Sequence, residues 1–502
     1  MKELSTYIKI AISLAVAYSF YPHDSSRQLP AFVSSPLTQL QQWFFETIRP
    51  RMERNVIAVP EAFMTTPEII DNRGYPVEIH NVVTDDGYIL ELHRIPFGKR
   101  DAHRPNSTFQ RRAVFLQHGM MGTDHFWLVP TSNNSLAFLL ADHGYDVWMG
   151  MGTDHFWLVP TSNNSLGKLY SSILYIVIFS NILRFNLYGA AFLLADHGYD
   201  VWMGNSRGNT YSRKHINLNP DKDEAFWDFS WDEMGRYDIP ASIDYVLNVT
   251  GQEKLAAYFG YSLGCSVFFM SAAQYPRMND QVDIMIGLGP TVSVAHLNNY
   301  FRYMAPFVNI YQLYQRLFGI GEVHTNNGVL HSVTRFICET SELGAKFGYL
   351  WLSQIFGYSD VFDKIDYYRL IGHYPAGGSA NTMVHLLQNY NFGESFLKFD
   401  YGPERNLERY GTPYPPEYNL TLVTAPVFLV HADNDPFAPP QDVSWLKGKL
   451  GNLKGSLRVP SPTFSHGDFV WSPRVAELVH KPAIDLLSSP FIHKETYVHI
   501  SA

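Results

Sequence analysis

One serine in this 502-residue chain stands where nucleophilic chemistry is possible. It lies in Gly260-Tyr261-Ser262-Leu263-Gly264, a G-x-S-x-G spacing. Small residues on both sides let the backbone turn tightly and lift the hydroxyl clear at a helix N-terminus. The context suits such a turn. "KLAAYFGY" leads in as an apolar strand, and "GCSVFFMSAAQ" continues as a helix. A plain turn serine is the alternative reading, and that context argues against it. A serine hydroxyl attacks a carbonyl carbon only when a base takes its proton. The base is usually a histidine oriented by a buried carboxylate. Downstream, "HADNDPFAPP" offers Asp433 and Asp435 after an apolar strand, and "FSHGDFVW" offers His466 in a loop before the last helix. Serine, acid, histidine is a recurring chain order for this chemistry. Asp435, deeper in its loop, is the favoured acid, because Asp433 suits a turn-capping role. His431 and His480 are rival histidines that read as structural or surface residues.

The adduct of such an attack carries a negative oxygen that needs hydrogen-bond donors. The backbone N–H of Leu263 is one candidate. "QHGMM", after an earlier apolar strand, offers the N–H of Met120 as the other, with His118 and Gly119 letting the backbone approach. The plainer reading of that loop is an ordinary strand-end turn. None of this calls for a cofactor or a metal ion.

These groups need strands that end near one another. "PVEIHNVVTDDGYILELHRIPFG" alternates apolar residues around Asp86-Gly87, a hairpin signal. "RRAVFLQHG" is a short apolar strand, and "SLAFLLADHGYDVWMG" reads as helix then strand. "DIPASIDYVLNVTG" is a helix with Pro240 near its start and Gly251 past its end. "APVFLVHADNDP" is a buried strand followed by an acidic loop. Strands alternating with helices predict a mostly parallel α/β sheet flanked by helices. Residues 295–400 break that rhythm, being aromatic and helical in pattern, as an inserted cap would be.

Apolar residues make up 46% of the chain and charged ones 17%, enough for a sizeable core and too apolar for disorder. The formal charge of −9 and the lack of any long Lys/Arg run argue against a nucleic-acid partner. Residues 1–20 pair a basic start at Lys2 with a short apolar run and read as a signal peptide, too short to span a membrane comfortably. Sequons at Asn106, Asn133, Asn163, Asn248 and Asn419 suit a glycosylated, secreted product. Residues 21–60 read as an N-terminal arm or propeptide. The two cysteines, Cys265 and Cys338, are expected as free buried thiols rather than a disulfide.

Several stretches are similar to the acid lipase family, which includes gastric, lysosomal and insect secreted lipases. They are "FLQHGM", "DVWMGNSRGNTYSRKH", "FWDFSWDEMGRYDIPASIDYVL", "TGQEKL", "YPAGGSANTMVHLLQ" and "HGDFVW". The resemblance runs from about Pro67 to the C-terminus, apart from a repeated region. It implies an α/β-hydrolase core in two parts, 61–294 and 401–502, around a helical cap or lid at 295–400. It also implies a Ser262–Asp435–His466 triad, oxyanion donors at Met120 and Leu263, and a secreted or lysosomal setting. The implied partners are acylglycerols or sterol esters at a lipid–water interface. Two positions depart from the family elbow, which usually has His before the serine and Gln after it; here Tyr261 and Leu263 stand there.

The repeated region is literal. "MGTDHFWLVPTSNNSL" occupies 121–136 and again 151–166, while "AFLLADHGYDVWMG" occupies 137–150 and again 191–204. Only the second pair is interrupted, by residues 167–190. Solenoid repeats come in larger numbers and drift in sequence. Gly167-Lys168 and Ala190-Ala191 can encode intron donor and acceptor sites, so the second pair has the form of an unspliced copy joined in tandem. Residues 171–194 could pass for a membrane helix, but Asn181, Arg184 and Asn186 inside it are costly in hydrocarbon, and no stable span is expected. The expected arrangement uses 121–136 and 191–204 in the core and sets 137–190 aside.

The leading reading is a secreted lipid ester hydrolase. A catalytically impaired lipid-binding protein on the same scaffold is the alternative, since fold does not fix function. A complete Ser262, Asp435 and His466 set argues against it. A peptidase on the same fold is a further rival, disfavoured by the aromatic cap.

Overall fold

The hairpin signalled by Asp86-Gly87 is formed by β1 (Glu78–Val83) and β2 (Tyr88–Ile95), paired antiparallel from Glu78↔Arg94 to Val83↔Ile89. Gly87 closes it at φ +93°, a left-handed conformation that glycine takes without a Cβ clash. This is a computed structural model, and it describes residues 59–98, 111–129, 146–149, 156–159, 189–318, 321–323, 342–361, 364–487 and 498–500. The hairpin edges a ten-stranded sheet. The sheet continues with β3 (Ala113–Gln117), β4 (Asp200–Gly204), β5 (Ala257–Tyr261), β6 (Met285–Leu288), β7 (Val427–His431), β8 (Leu453–Arg458) and β9 (Val498–Ile500). Lys214–His215 adds a short pairing on β2. The order across the sheet is β1-β2-β4-β3-β5-β6-β7-β8-β9. β2 meets β4 antiparallel, and every later pairing is parallel.

Strands covered on both faces need apolar residues at every position rather than at alternate ones. β3 to β7 are buried throughout. Edge strand β1 alternates instead, burying Val82 and exposing Ile79 and Val83. The covering helices include α1 (Thr66–Asn72), α2 (Ala190–Asp196), α3 (Ile239–Thr250) and α4 (Leu263–Gln274). Thr65 and Glu68 form a capping box on α1, satisfying backbone N–H groups that its first turn leaves free. α3 has Pro240 in its first turn and ends at Gly251, left-handed at φ +64°. Between β6 and β7 the chain inserts α5 (Val308–Phe318), α6 (Glu342–Phe356), α7 (Lys364–His373) and α8 (Ala380–Phe392). α9 (Pro440–Lys449) then links β7 to β8.

The sheet takes one copy of each repeated block. From the first block, Asp124–Trp127 forms a buried turn, and Asp124 accepts from Thr66 Oγ1 at 2.9 Å and contacts His93. From the last block comes β4, seated between β2 and β3. The matching segment of its twin, Asp146–Met149, pairs antiparallel with Phe156–Val159 in a separate two-stranded sheet. Gly189, just before α2, packs so closely on the end of the first block that a Cβ there would sit 2.4 Å from the Trp127 carbonyl oxygen. The core thus resumes at Gly189, against Trp127 and Leu128. A variant lacking 137–190 is therefore expected to fold better than the full chain. Its sequence runs "HGMMGTDHFWLVPTSNNSLAFLLADHGYDVWMGNSRG" without a break. It carries no second apolar helix–strand block to misassemble. Soluble yield, thermal midpoint and esterase rate from one secretory host should all rise, and a full chain that matches the deletion on all three defeats this expectation.

Among the described residues no helix is long and apolar enough to cross a membrane. The signal peptide expected at 1–20, nearly all of the arm expected at 21–60, the sequons at Asn106, Asn133 and Asn163, and Cys338 lie outside the described residues.

Candidate active site

Ser262 sits at the sharp turn between β5 and α4, with φ +55° and ψ −118°. A non-glycine residue rarely takes this conformation, and such strain persists only where neighbours enforce it. Here the enforcement is steric. A Cβ on Gly260 would come 2.8 Å from the backbone of Gly264 and Cys265, and one on Gly264 would come 2.3 Å from the Gln117 carbonyl oxygen. Both elbow glycines are therefore required by backbone contacts that cannot yield. The amide of Ser262 donates to the Leu288 carbonyl at 3.0 Å, tying the elbow to the end of β6. Cys265 is a free buried thiol whose Sγ lies 3.1 Å from the Gly260 carbonyl oxygen, and burial raises its pKa.

His466 Nε2 lies 2.9 Å from Ser262 Oγ, and its Nδ1 lies 2.8 Å from Asp435 Oδ2. All three side chains are buried. The other oxygen of Asp435 accepts the N–H groups of Phe437 and Ala438 at 2.8 and 2.9 Å. The carboxylate is thus fixed by its own loop and presents one oxygen to the imidazole. Asp433 points elsewhere and pairs with Arg458 at the surface. His431 lies 2.9 Å from Lys447 Nζ, and His480 is buried in the helical stretch Ala476–His480. Burial pushes these imidazoles down to about 4 and about 3. Neither forms a hydrogen bond with Ser262 or Asp435.

Leu263 opens α4, so its N–H belongs to the first turn, where amides lack partners within the helix. Met120 follows β3 on a loop that passes close to the nucleophile. A Cβ on Gly119 would lie 3.0 Å from Ser262 Cβ, tight enough that a larger residue would have to push the loop or the serine aside by a few tenths of an ångström. Met121 stands at φ +54°, and its carbonyl accepts the Ala376 N–H at 2.7 Å. His118 Nδ1 donates to the Gly119 carbonyl at 2.7 Å, while Nε2 accepts the Ser206 N–H at 3.1 Å. Burial pushes this imidazole down to about 4, so it stays neutral and keeps one donor and one acceptor. Asn209 Nδ2 also reaches the Gly122 carbonyl at 3.2 Å. "NSRGN" thus supports the Met120 loop, a role that composition does not signal. Buried Arg207 holds that stretch by pairing with Asp86 and Asp238.

Further contacts escape a motif reading. Tyr261 Oη donates to the His466 carbonyl at 2.9 Å, and its ring stacks on the imidazole at 5.1 Å and 29°. Burial holds this phenol well above its usual pKa, so it remains a neutral donor. Phe437 and, from α6, Phe356 complete an aromatic wall around His466. Thr291 Oγ1 lies 3.2 Å from Ser262 Oγ.

A mostly parallel sheet in this strand order, with an elbow serine at the end of β5, defines an α/β hydrolase. Residues 66–131 match the family described as a partial alpha/beta-hydrolase lipase region, and residues 187–326 match the alpha/beta hydrolase fold. The stretch between the two matches, 132–186, holds the end of the first copy and most of the second. The chain is similar to gastric triacylglycerol lipase of Bos taurus, with 33% identity over 432 residues, 86% of this chain and 92% of the relative. It is similar to Lipase 1 of Drosophila melanogaster, with 32% identity over 447 residues, 88% of this chain and 83% of the relative. Human gastric triacylglycerol lipase shares 32% identity over 436 residues, 86% of this chain and 92% of the relative. The chain belongs to this lipase family of the α/β-hydrolase fold and is a serine ester hydrolase.

Proposed function

We propose that this chain is a secreted or lysosomal lipase that cleaves acylglycerols or sterol esters through a Ser262 acyl-enzyme. The observation that carries the reading is the unbroken contact from Ser262 Oγ to His466 to Asp435, at 2.9 and 2.8 Å. In the first half-reaction His466 Nε2 takes the serine proton while Oγ adds to the ester carbonyl carbon. Asp435 keeps the other ring proton on Nδ1 and stabilises the imidazolium. The N–H groups of Met120 and Leu263 hold the oxyanion. The adduct collapses as His466 gives its proton to the departing alcohol. Water then repeats the sequence on the acyl-enzyme and releases the fatty acid.

The lipid reading draws on the inserted helices, which act as a cap over 295–400. Tyr300, Tyr303 and Phe307 are exposed there, as are Ile310, Leu313 and Leu317 on one face of α5. Exposed apolar surface of this kind marks interaction sites and suits a lipid–water interface. Relatives named as gastric triacylglycerol lipases support the same substrate class. Sequon residues Asn248 and Asn419 are exposed, as glycosylation on a secretory route needs.

Emulsified triacylglycerol, a sterol ester and p-nitrophenyl esters of several chain lengths should all be tested, each with and without a serine-directed phosphonate. Hydrolysis of at least one lipid ester is expected, with phosphonate blocking turnover and labelling Ser262. Lipid binding without turnover or labelling would establish the binding-protein alternative instead.

A further inference from the structure

Thr291 stands closer to the reacting atoms than the triad alone requires. The chain leaves β6 through Gly289 and Pro290, and this turn lies directly against the triad. A Cβ on Gly289, itself at φ +52°, would meet Asp435 Oδ2 at 3.0 Å and His466 Nδ1 at 3.2 Å. The turn is pinned on both sides. The Gly289 amide donates to the Val430 carbonyl at 2.9 Å, and Ser266 Oγ donates to the Thr291 carbonyl. Thr291 is buried at 3% exposure, and its hydroxyl faces Ser262 Oγ at 3.2 Å.

The directions of these hydrogen bonds are fixed by the triad. Asp435 accepts the proton on His466 Nδ1, so Nε2 is the acceptor and takes the single proton of Ser262. Ser262 therefore has no proton left for Thr291, and the threonine must be the donor in their contact. Among the described residues the other acceptor within reach of its proton is the Gly289 carbonyl, at a long 3.4 Å.

We propose that Thr291 is a further catalytic residue, a hydroxyl donor to Ser262 Oγ that acts chiefly in deacylation. The inference rests on the reading of Ser262 as the nucleophile. In the acyl-enzyme, Oγ is an ester oxygen and a poor acceptor. Water adds to the acyl carbon as His466 takes one of its protons. When the adduct collapses, the C–Oγ bond breaks, its electron pair moves onto Oγ, and His466 returns the proton there. Charge on Oγ rises during this step, and a hydrogen bond to it strengthens accordingly. An interaction stronger in the transition state than in the preceding ground state accelerates that step. In acylation the gain is smaller, because the hydroxyl of free Ser262 already accepts this bond.

The test is Thr291→Val, which keeps the side-chain shape and removes the donor, set against Thr291→Ser, which keeps the donor. With a p-nitrophenyl ester, kcat/KM reports acylation and kcat reports deacylation once the latter limits turnover. Thr291→Val is expected to lower kcat and KM together by about tenfold, the scale of one hydrogen bond to a charged group. Its kcat/KM should stay near that of the wild type, and stopped-flow should show a p-nitrophenol burst. Thr291→Ser should restore both constants. An unchanged kcat in Thr291→Val overturns the proposal. So does an equal fall of kcat and kcat/KM at constant KM, or a Thr291→Ser variant as impaired as Thr291→Val. Phosphonate labelling of Ser262 in each variant separates the two levels. If Ser262 labels and the split is missing, only the role of Thr291 fails; if it does not label in the wild type, the nucleophile assignment fails.

Discussion

Ser262→Ala is expected to lower turnover on every ester substrate by on the order of 10⁶, as in other hydrolases that lose the nucleophile of a triad. That factor corresponds to about 8 kcal/mol of barrier. The loss is total for the acyl-enzyme route, because the other hydroxyl of the elbow, the Tyr261 phenol, is committed to the His466 carbonyl. The Thr291 hydroxyl lies 3.2 Å from Ser262 Oγ, but it makes no hydrogen bond to His466 that could take its proton. Folding should be spared. The strained backbone at residue 262 is held by the contacts of Gly260 and Gly264 and by the Leu288 carbonyl, none of which involves the serine side chain. The checks are kcat by titration of released fatty acid and the midpoint of thermal unfolding. Retained hydrolysis with an unchanged fold would remove Ser262 from the mechanism.

Asp435→Asn is expected to lower kcat by about 10⁴, as an amide in this role holds the wrong imidazole tautomer. The geometry explains the size. Asp435 Oδ1 is saturated by two backbone N–H groups, so an asparagine placed there keeps its carbonyl oxygen on them. Its NH₂ group then faces His466 Nδ1, forcing that nitrogen to accept and placing the ring proton on Nε2. A protonated Nε2 cannot take the proton of Ser262. Asp433→Asn should leave kcat within about twofold, since an exposed pair of the Asp433–Arg458 kind contributes little. If Asp433→Asn proves the more damaging of the two, the acid has been assigned to the wrong residue.

Much of this site could be read from the chain, because its parts are bound to local signals. The elbow needs glycines at fixed offsets, and the acid and the histidine follow strands or precede helices that the hydrophobic pattern marks. Strands β3, β5 and β7 are apolar runs bounded by turn residues, which is how buried parallel strands look. β6 has the same character, but with only four residues it offered little to separate it from a loop. Thr291 was out of reach for a different reason. A threonine after a Gly-Pro turn carries no local signature, and its place beside Ser262 exists only once β5 and β6 pair. Tyr261 stood out as a departure from the family elbow, yet its hydrogen bond to the His466 carbonyl joins residues far apart in sequence. Asp433 and Asp435 are separated in the fold by what surrounds them, Arg458 and solvent against backbone amides and His466.

The seating of β4 from the last repeated block has a consequence for the native state itself. Residues 137–150 and 191–204 are identical, and both are preceded in the chain by the same Asp124–Trp127 turn. A core closed with 191–204 leaves 137–190 over; a core closed with 137–150 leaves 151–204 over. The two remainders have equal length and equal composition, and the two cores differ only just before the helix, where Ser135-Leu136 would replace Gly189-Ala190. Loop-closure entropy therefore cannot choose between them. The full chain therefore has two competing connectivities of one architecture, and the close packing of Gly189 on the Trp127 carbonyl, which Ser135 could not reproduce, favours the one with 191–204 in the sheet. A cysteine introduced in place of Trp202 should accordingly be protected from thiol reagents in the larger fraction of molecules, and one in place of Trp148 in the smaller. Complete protection at 202 with none at 148 would show that the chain commits to a single connectivity.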